Sequence, residues 1–158
     1  MTAGRCMAEA GDAGWRAVGA ARGWVGTPYV FGASLRGAGA DCLGLLRGVW
    51  RTLYGAEPER PGPYTPDWSE ASGAERLLEG AARHMTAVAL DDARPGDVAV
   101  FRMRAGAVCK HLGILAEDAH GAPTLIHAYS GHGVVESSLG MAWRRKMAAA
   151  FRLPEGVI

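Results

Sequence analysis

One cysteine and two histidines in this chain have the types and spacing that nucleophilic acyl chemistry needs. Cys42 follows Asp41, a residue suited to cap a helix, and from Cys42 the apolar residues Leu45, Leu46, Val49 and Leu53 recur with helical period. A thiol in the first turn of a helix faces free backbone N–H groups and the positive end of the helix dipole. Both lower its pKa toward a reactive thiolate. A cysteine on an apolar stripe is equally a small core residue, so the functional reading requires a base. His111 opens the run 110–115, where Leu112 and Ile114 share one strand face and His111 takes the other. In the run 124–129, Ile126 and Ala128 share a face and His127 lies opposite. A five-residue turn over 117–121 would set His111 directly across from His127, with Cβ atoms roughly 4.5–5.5 Å apart. His111 would then take the thiol proton and His127 would hold its tautomer. A turn one residue longer or shorter would send His127 to the other face.

Two kinds of element must position these groups. The helix from Cys42 carries its stripe on one side and Gly44, Arg47, Gly48 and Arg51 on the other. Before it, Trp15, Val18 and residues 21–24 give a weaker helical pattern within residues 1–26, and residues 27–40 read as a loop because Pro28 and three glycines interrupt them. A proline-rich loop to Asp67 follows, then a surface helix over 69–84 with a capping box at Ser72 and Glu75. Five short runs at 97–103, 110–116, 124–129, 134–138 and 148–153, separated by glycine-bearing turns, predict an antiparallel sheet. Helices followed by strands predict an α+β fold in a single domain over 1–158.

Composition excludes several classes. The chain has 158 residues, 49% apolar and 21% charged, and 17 Lys+Arg against 16 Asp+Glu leave a net charge of +1. That balance is globular and disfavours nucleic-acid binding through a basic patch. No apolar run reaches the ~18–20 residues of a membrane span, and residues 1–23 lack the apolar core of a signal peptide. Cys6, Cys42 and Cys109 are too few and odd in number for a disulfide scaffold. His111, His120, His127 and His132 lack the paired spacing of a zinc site, so neither metal nor cofactor is expected. Asp91, Asp92 and Asp97 read as a turn entering a strand rather than as a glycosidase pair.

The segments Thr27-Pro28-Tyr29-Val30-Phe31-Gly32, Asp41-Cys42-Leu43-Gly44-Leu45, Arg94-Pro95-Gly96-Asp97, His111-Leu112-Gly113-Ile114 and Ile126-His127-Ala128 occur in this order. Together they resemble the NlpC-type cell-wall cysteine peptidases over about residues 17–153. The resemblance implies a papain-like fold with the nucleophile helix packed on the C-terminal antiparallel sheet. It matches Cys42 to the nucleophile, His111 to the base and His127 to the orienting residue. Tyr29 matches the tyrosine beside the oxyanion, and Asp41 a residue that meets the amine end of the substrate peptide. Leu43 stands where the family often has serine. The implied activity is hydrolysis of peptidoglycan stem peptides or cross-links through an acyl-enzyme.

Arg47, Trp50 and the 57–64 loop make the chain similar to cell-wall peptidases of phage tails and gene transfer agents. That likeness implies synthesis in the bacterial cytoplasm without a signal peptide, tail-tip or hub proteins as partners, and action on the wall in the periplasm as a virion component. Docking surfaces are expected in the N-terminal segment, the 57–66 loop and Trp143–Lys146. The competing readings are a catalytically weak tail-tip subunit that uses the fold for protein contacts, and acyl-transfer or amidase chemistry on another substrate.

Overall fold

The computed structural model describes residues 12–62, 64 and 75–156. Helix α1 (Ala13–Arg22) buries Ala13, Ala17, Val18 and Ala21, small residues that bring its axis close to the next helix. Helix α2 (Cys42–Tyr54) starts where the Asp41 carboxylate accepts the Gly44 N–H at 2.7 Å, and ends at Gly55, whose φ of 88° only glycine adopts readily. Its buried residues include Leu45, Leu46, Val49 and Leu53, the stripe its sequence spacing predicts, and Trp50 beside them. Gly44 and Gly48, read from that spacing as the far side, are also buried. Two neighbours close over that side: the Trp24 indole lies where a Cβ on Gly48 would stand, and the Ala33 carbonyl does the same at Gly44.

Residues 27–40, expected as a loop, carry β1 (Ser34–Leu35) and β2 (Gly39–Ala40), which pair antiparallel. Tyr29 bridges to Ala40 alongside them. Ser34 Oγ donates to the Gly44 carbonyl at 2.6 Å and Arg51 donates to the Ser34 carbonyl, so the hairpin is fastened to the first turns of α2. A Cβ built on Gly44 would lie 1.8 Å from the Ala33 oxygen, a backbone atom that cannot rotate away. Gly44→Ala is therefore expected to cost about 1–3 kcal/mol. Urea unfolding measures it, and an unchanged midpoint would mean that the hairpin moves freely against α2.

Helix α3 (Arg76–His84) lies within the expected 69–84 helix, of which residues 69–74, with the Ser72 half of the capping box, lie outside the described residues, as do Cys6 and Trp68. The sheet then runs β3 (Thr86–Val88), β4 (Val98–Phe101), β5 (His111–Glu117), β6 (Pro123–Tyr129), β7 (Gly133–Ser138) and β8 (Met147–Arg152), with a short 3-10 turn at Leu90–Asp92 and helix α4 (Met141–Lys146) before β8. Spatial order is β3-β8-β4-β5-β6-β7, with every neighbour antiparallel. The five expected strands are present, whereas edge strand β3 and helix α4 carried too few periodic residues to be read. Asp97 forms the expected turn: its carboxylate accepts the Arg94 N–H at 2.9 Å and pairs with Arg152.

One face of the sheet, through Leu112, Ile114, Ile126 and Ala128, packs with α1 and α2 into the main core. The other face gathers Ala99, Phe101, Leu115, Leu125 and Leu139 under Trp143 and Met147. Among the described residues no helix is long and apolar enough to cross a membrane.

Candidate active site

The β5–β6 register differs from the expected one. Glu117 pairs with Pro123 and Ile114 with Ile126, so the turn spans 118–122 and the pairing is displaced by two residues. A two-residue displacement preserves the face of every side chain. Carried along the strands it sets Gly113, not His111, opposite His127. The histidines still meet, on a diagonal: His111 Nε2 and His127 Nδ1 are 2.9 Å apart. Gly113 lets this happen, because a Cβ there would lie 2.7 Å from Leu125 Cδ1, 2.9 Å from the Ile126 oxygen and 3.0 Å from His127 Cβ. His127 Nε2 in turn lies 3.1 Å from Ser137 Oγ on β7.

An aromatic cover encloses this pair. Trp143 stands 5.4 Å from the His111 ring and 4.9 Å from the His127 ring, Phe101 packs beside His111, and Tyr129 stacks on His127. His111 is 8% exposed and His127 1%. Burial pushes His111 down to about 3, with the neighbouring His127 adding to the effect. Burial and then His132 push His127 down to about 4. Both rings are neutral at neutral pH.

Cys42 is half-buried at the start of α2, and its thiol donates to the Lys110 carbonyl at 3.7 Å. The backbone N–H of Leu112 also acts on the sulfur. The thiol thus lies against the backbone on both sides of His111. The expected low thiol pKa is overturned: burial, and after it the Asp41 charge, push Cys42 up to about 12, against the smaller help of the Leu112, Leu43 and Cys42 N–H groups. Desolvation outweighs the helix-start effect here because the sulfur faces protein rather than water.

Asp41 is 3% exposed and fully engaged. One oxygen caps α2, while the other accepts the Gly32 N–H at 2.8 Å and the Tyr64 hydroxyl at 2.5 Å. Tyr64 also packs edge-on against Phe31. The hydroxyls of Tyr29 and Tyr64 are both held protonated, first by burial; the charges of Cys42 and Asp41 add to it in each, and for Tyr64 so does the bond to Asp41. Both phenols therefore stand near the thiol as donors.

The structure brings Cys42, Asp41 and Tyr29 to one place and His111 and His127 to the adjoining strand ends. Sequence reasoning missed Tyr64, Ser137 and Trp143. Parity along β7 would have put Ser137 on the His127 face once that hairpin was paired, whereas nothing local links Tyr64 to Asp41 or Trp143 to the histidines. Trp143, which is also expected on a docking surface, turns its ring onto the histidine pair, with Lys146 5.9 Å from its ring centre. The other expected docking segments fall partly outside the described residues. Cys109 is a core residue whose backbone N–H donates to Glu75.

A cleft of about 500 Å³ adjoins Cys42 through Leu43, Leu112 and Tyr64 and runs between α2 and α3 to Trp50 and His84. Its rim is cross-linked by Arg47 and Arg51 on Glu57, and by Arg83 and His84 on Glu59. No group of three potential metal ligands occurs among the described residues.

No protein-family model matches this chain, and no curated protein matches it in sequence. Solved structures do. An NlpC/P60 family protein from Bacillus cereus superposes on 88% of the chain with a TM-score of 0.61 at 19% identity. NlpC2 from Trichomonas vaginalis covers 92% with a TM-score of 0.59 at 18% identity. The chain spans only 40% and 47% of those two proteins. An N-acetylmuramoyl-L-alanine amidase from Bacteroides uniformis is matched over 99% of its length, at a TM-score of 0.52 and 12% identity. The likeness is one of architecture, and by it this α+β chain has the papain-like NlpC/P60 fold.

Proposed function

We propose that the chain is a cysteine peptidase that hydrolyses peptide bonds of peptidoglycan stem peptides or cross-links through an acyl-enzyme. The observation that carries this reading is the junction of α2 with β5, where the Cys42 thiol sits against the backbone flanking His111 and the His111 ring is tied to His127 at 2.9 Å. Because Nε2 of His111 is committed to His127, Nδ1 is the nitrogen left for the thiol.

Thiol and imidazole both rest uncharged, so the proton leaves sulfur as sulfur attacks. The Sγ–H bond breaks, the proton passes to His111 Nδ1 and a C–S bond forms at the scissile carbonyl. The oxyanion is met by the Tyr29 hydroxyl and the Cys42 N–H. His111 then gives its proton to the leaving amine, and water cleaves the thioester with His111 again as base. Asp41, through its bonds to Gly32, Gly44 and Tyr64, fixes the wall of the site that would face the amine end of the peptide.

The test is mass spectrometry of purified muropeptides after incubation with the wild-type chain and with Cys42→Ser, which names the bond and its dependence on the thiol. The amidase likeness favours one alternative within this chemistry, cleavage at the junction of glycan and peptide. Release of intact stem peptides would select it. The proposed site of action is the cell wall, with delivery on a phage-like tail through tail-tip or hub proteins. Copurification of tail proteins with a tagged chain would support delivery, and a free monomer absent from particles would refute it.

His127 should matter less than His111, because it orients the base without holding the transferred proton. His127→Gln is expected to keep partial muropeptide hydrolysis and His127→Ala less. A fully active His127→Ala would remove His127 from the site.

A further inference from the structure

We propose that Ser137 is the terminal positioning residue of the histidine pair: its hydroxyl oxygen accepts the Nε2–H of His127 and so holds both rings in the tautomers that let His111 take a proton. This rests on the acyl-transfer reading above. Ser137 lies on β7 across from Leu125, and Val135 lies across from His127. Residues 135 and 137 share a face, so Ser137 is the diagonal neighbour of His127.

A neutral imidazole carries one N–H and one lone pair. For His111 to accept at Nδ1, its proton must sit on Nε2 and be donated to His127 Nδ1, 2.9 Å away. His127 must then carry its own proton on Nε2, which lies 3.1 Å from Ser137 Oγ. After His111 takes the thiol proton both of its nitrogens bear hydrogen, and this direction of bonding becomes the only one open. The half-buried serine offers lone pairs to His127 and can turn its own proton outward. Alanine at 137 would leave the Nε2–H of a 1% exposed ring without this acceptor. The reversed tautomer, with the His127 proton on Nδ1, would then compete. It obliges His111 to accept at Nε2 and to carry hydrogen on Nδ1, where it cannot receive another.

The titratable and charged groups around the pair are Cys42, Tyr129 stacked on His127, His132 through its 5.0 Å stack on Tyr129, and Lys146 over the Trp143 ring. Glu136, next in sequence to Ser137, is turned away and bound by Arg22 and Thr124. Among the described residues no carboxylate interacts with either ring to set the tautomer in place of the hydroxyl.

The experiment uses the full chain labelled with ¹⁵N-histidine. Long-range ¹H–¹⁵N spectra at neutral pH should show His127 of the wild type protonated on Nε2 alone, a mixture of tautomers in Ser137→Ala, and the wild-type pattern again in Ser137→Thr, which keeps the hydroxyl. On soluble muropeptides, Ser137→Ala should lose about tenfold in kcat with KM unchanged, and Ser137→Thr should recover most of it. A wild-type chain with the His127 proton on Nδ1 overturns the proposal, as does a Ser137→Ala chain with unaltered tautomers and rate, or a threonine variant that behaves as alanine does. Cys42→Ser measured alongside separates the two levels. Undiminished digestion by it defeats the acyl-transfer reading, whereas the tautomer spectra judge Ser137 independently of turnover.

Discussion

Cys42→Ser is expected to reduce muropeptide hydrolysis by on the order of 10³-fold or more while leaving the fold in place. Burial already pushes the thiol up to about 12, and a hydroxyl in the same surroundings is a far weaker acid and a poorer nucleophile toward an amide carbonyl. His111, neutral and held by His127, takes the thiol proton only as sulfur attacks, and it is too weak to strip an alcohol. The helix does not depend on the sulfur: the cap at Asp41, the hairpin fastened by Ser34 and the stripe through Leu53 remain. Unfolding in urea should therefore shift by no more than about 1–2 kcal/mol, since the serine hydroxyl can still donate to the Lys110 carbonyl. Released muropeptides, quantified by mass spectrometry against wild type, supply the rate. Hydrolysis at the wild-type rate by a folded Cys42→Ser chain would remove the nucleophile from the mechanism.

The elements legible in the sequence were those with a period to read. Four apolar positions after Cys42 fixed both the helix and its buried side, and alternation in 110–115 and 124–129 fixed the faces of His111 and His127. The register was misread by two because the turn residues 117–122 offer several closures, and Glu117 pairs with Pro123 instead of opening the turn. What rescued the histidine contact is parity together with Gly113, whose missing side chain lets one ring reach diagonally to the other.

Other parts were not legible because their cause is tertiary. Two-residue strands such as β1 and β2 have no period, and Tyr64 meets Asp41 only because the chain after α2 folds back over its start. The pKa of Cys42 was misjudged in sign for a related reason. The local effect of a helix start is visible in the order of residues, but the desolvation that outweighs it is set by strands roughly 70 residues away, where Lys110 and Leu112 close over the sulfur.

The same burial makes a further, large effect measurable without substrate: the chain should be most stable between about pH 6.5 and 8.5 with respect to the site groups, and should lose stability on both sides. His111 and His127 are lowered in the folded state to about 3 and about 4, against about 6.5 when unfolded. Below about pH 6.5 the unfolded chain therefore binds protons that the folded chain does not. Stability is fully present above that pH and falls as pH drops toward the folded values, at about 1.4 kcal/mol per pH unit for each proton. Cys42 has the opposite sign. Its folded value is raised to about 12, so its contribution is present below the unfolded value of about 8.5 and is lost as pH rises above it. Between pH 6.5 and 5 the paired carboxylates do not obscure the histidines. Arg47 and Arg51 act on Glu57, and Arg22 on Glu136, so both stay below the usual carboxylate range despite partial burial. Urea unfolding at intervals from pH 7.5 to 5 should give a falling stability in the wild type, and a slope about half as steep in His127→Gln, which removes one of the two protons. A wild-type stability that is level across this range, or a slope untouched by His127→Gln, would show that the pair takes up protons in the folded chain as readily as in the unfolded one, and the lowering of both histidines by burial would be refuted.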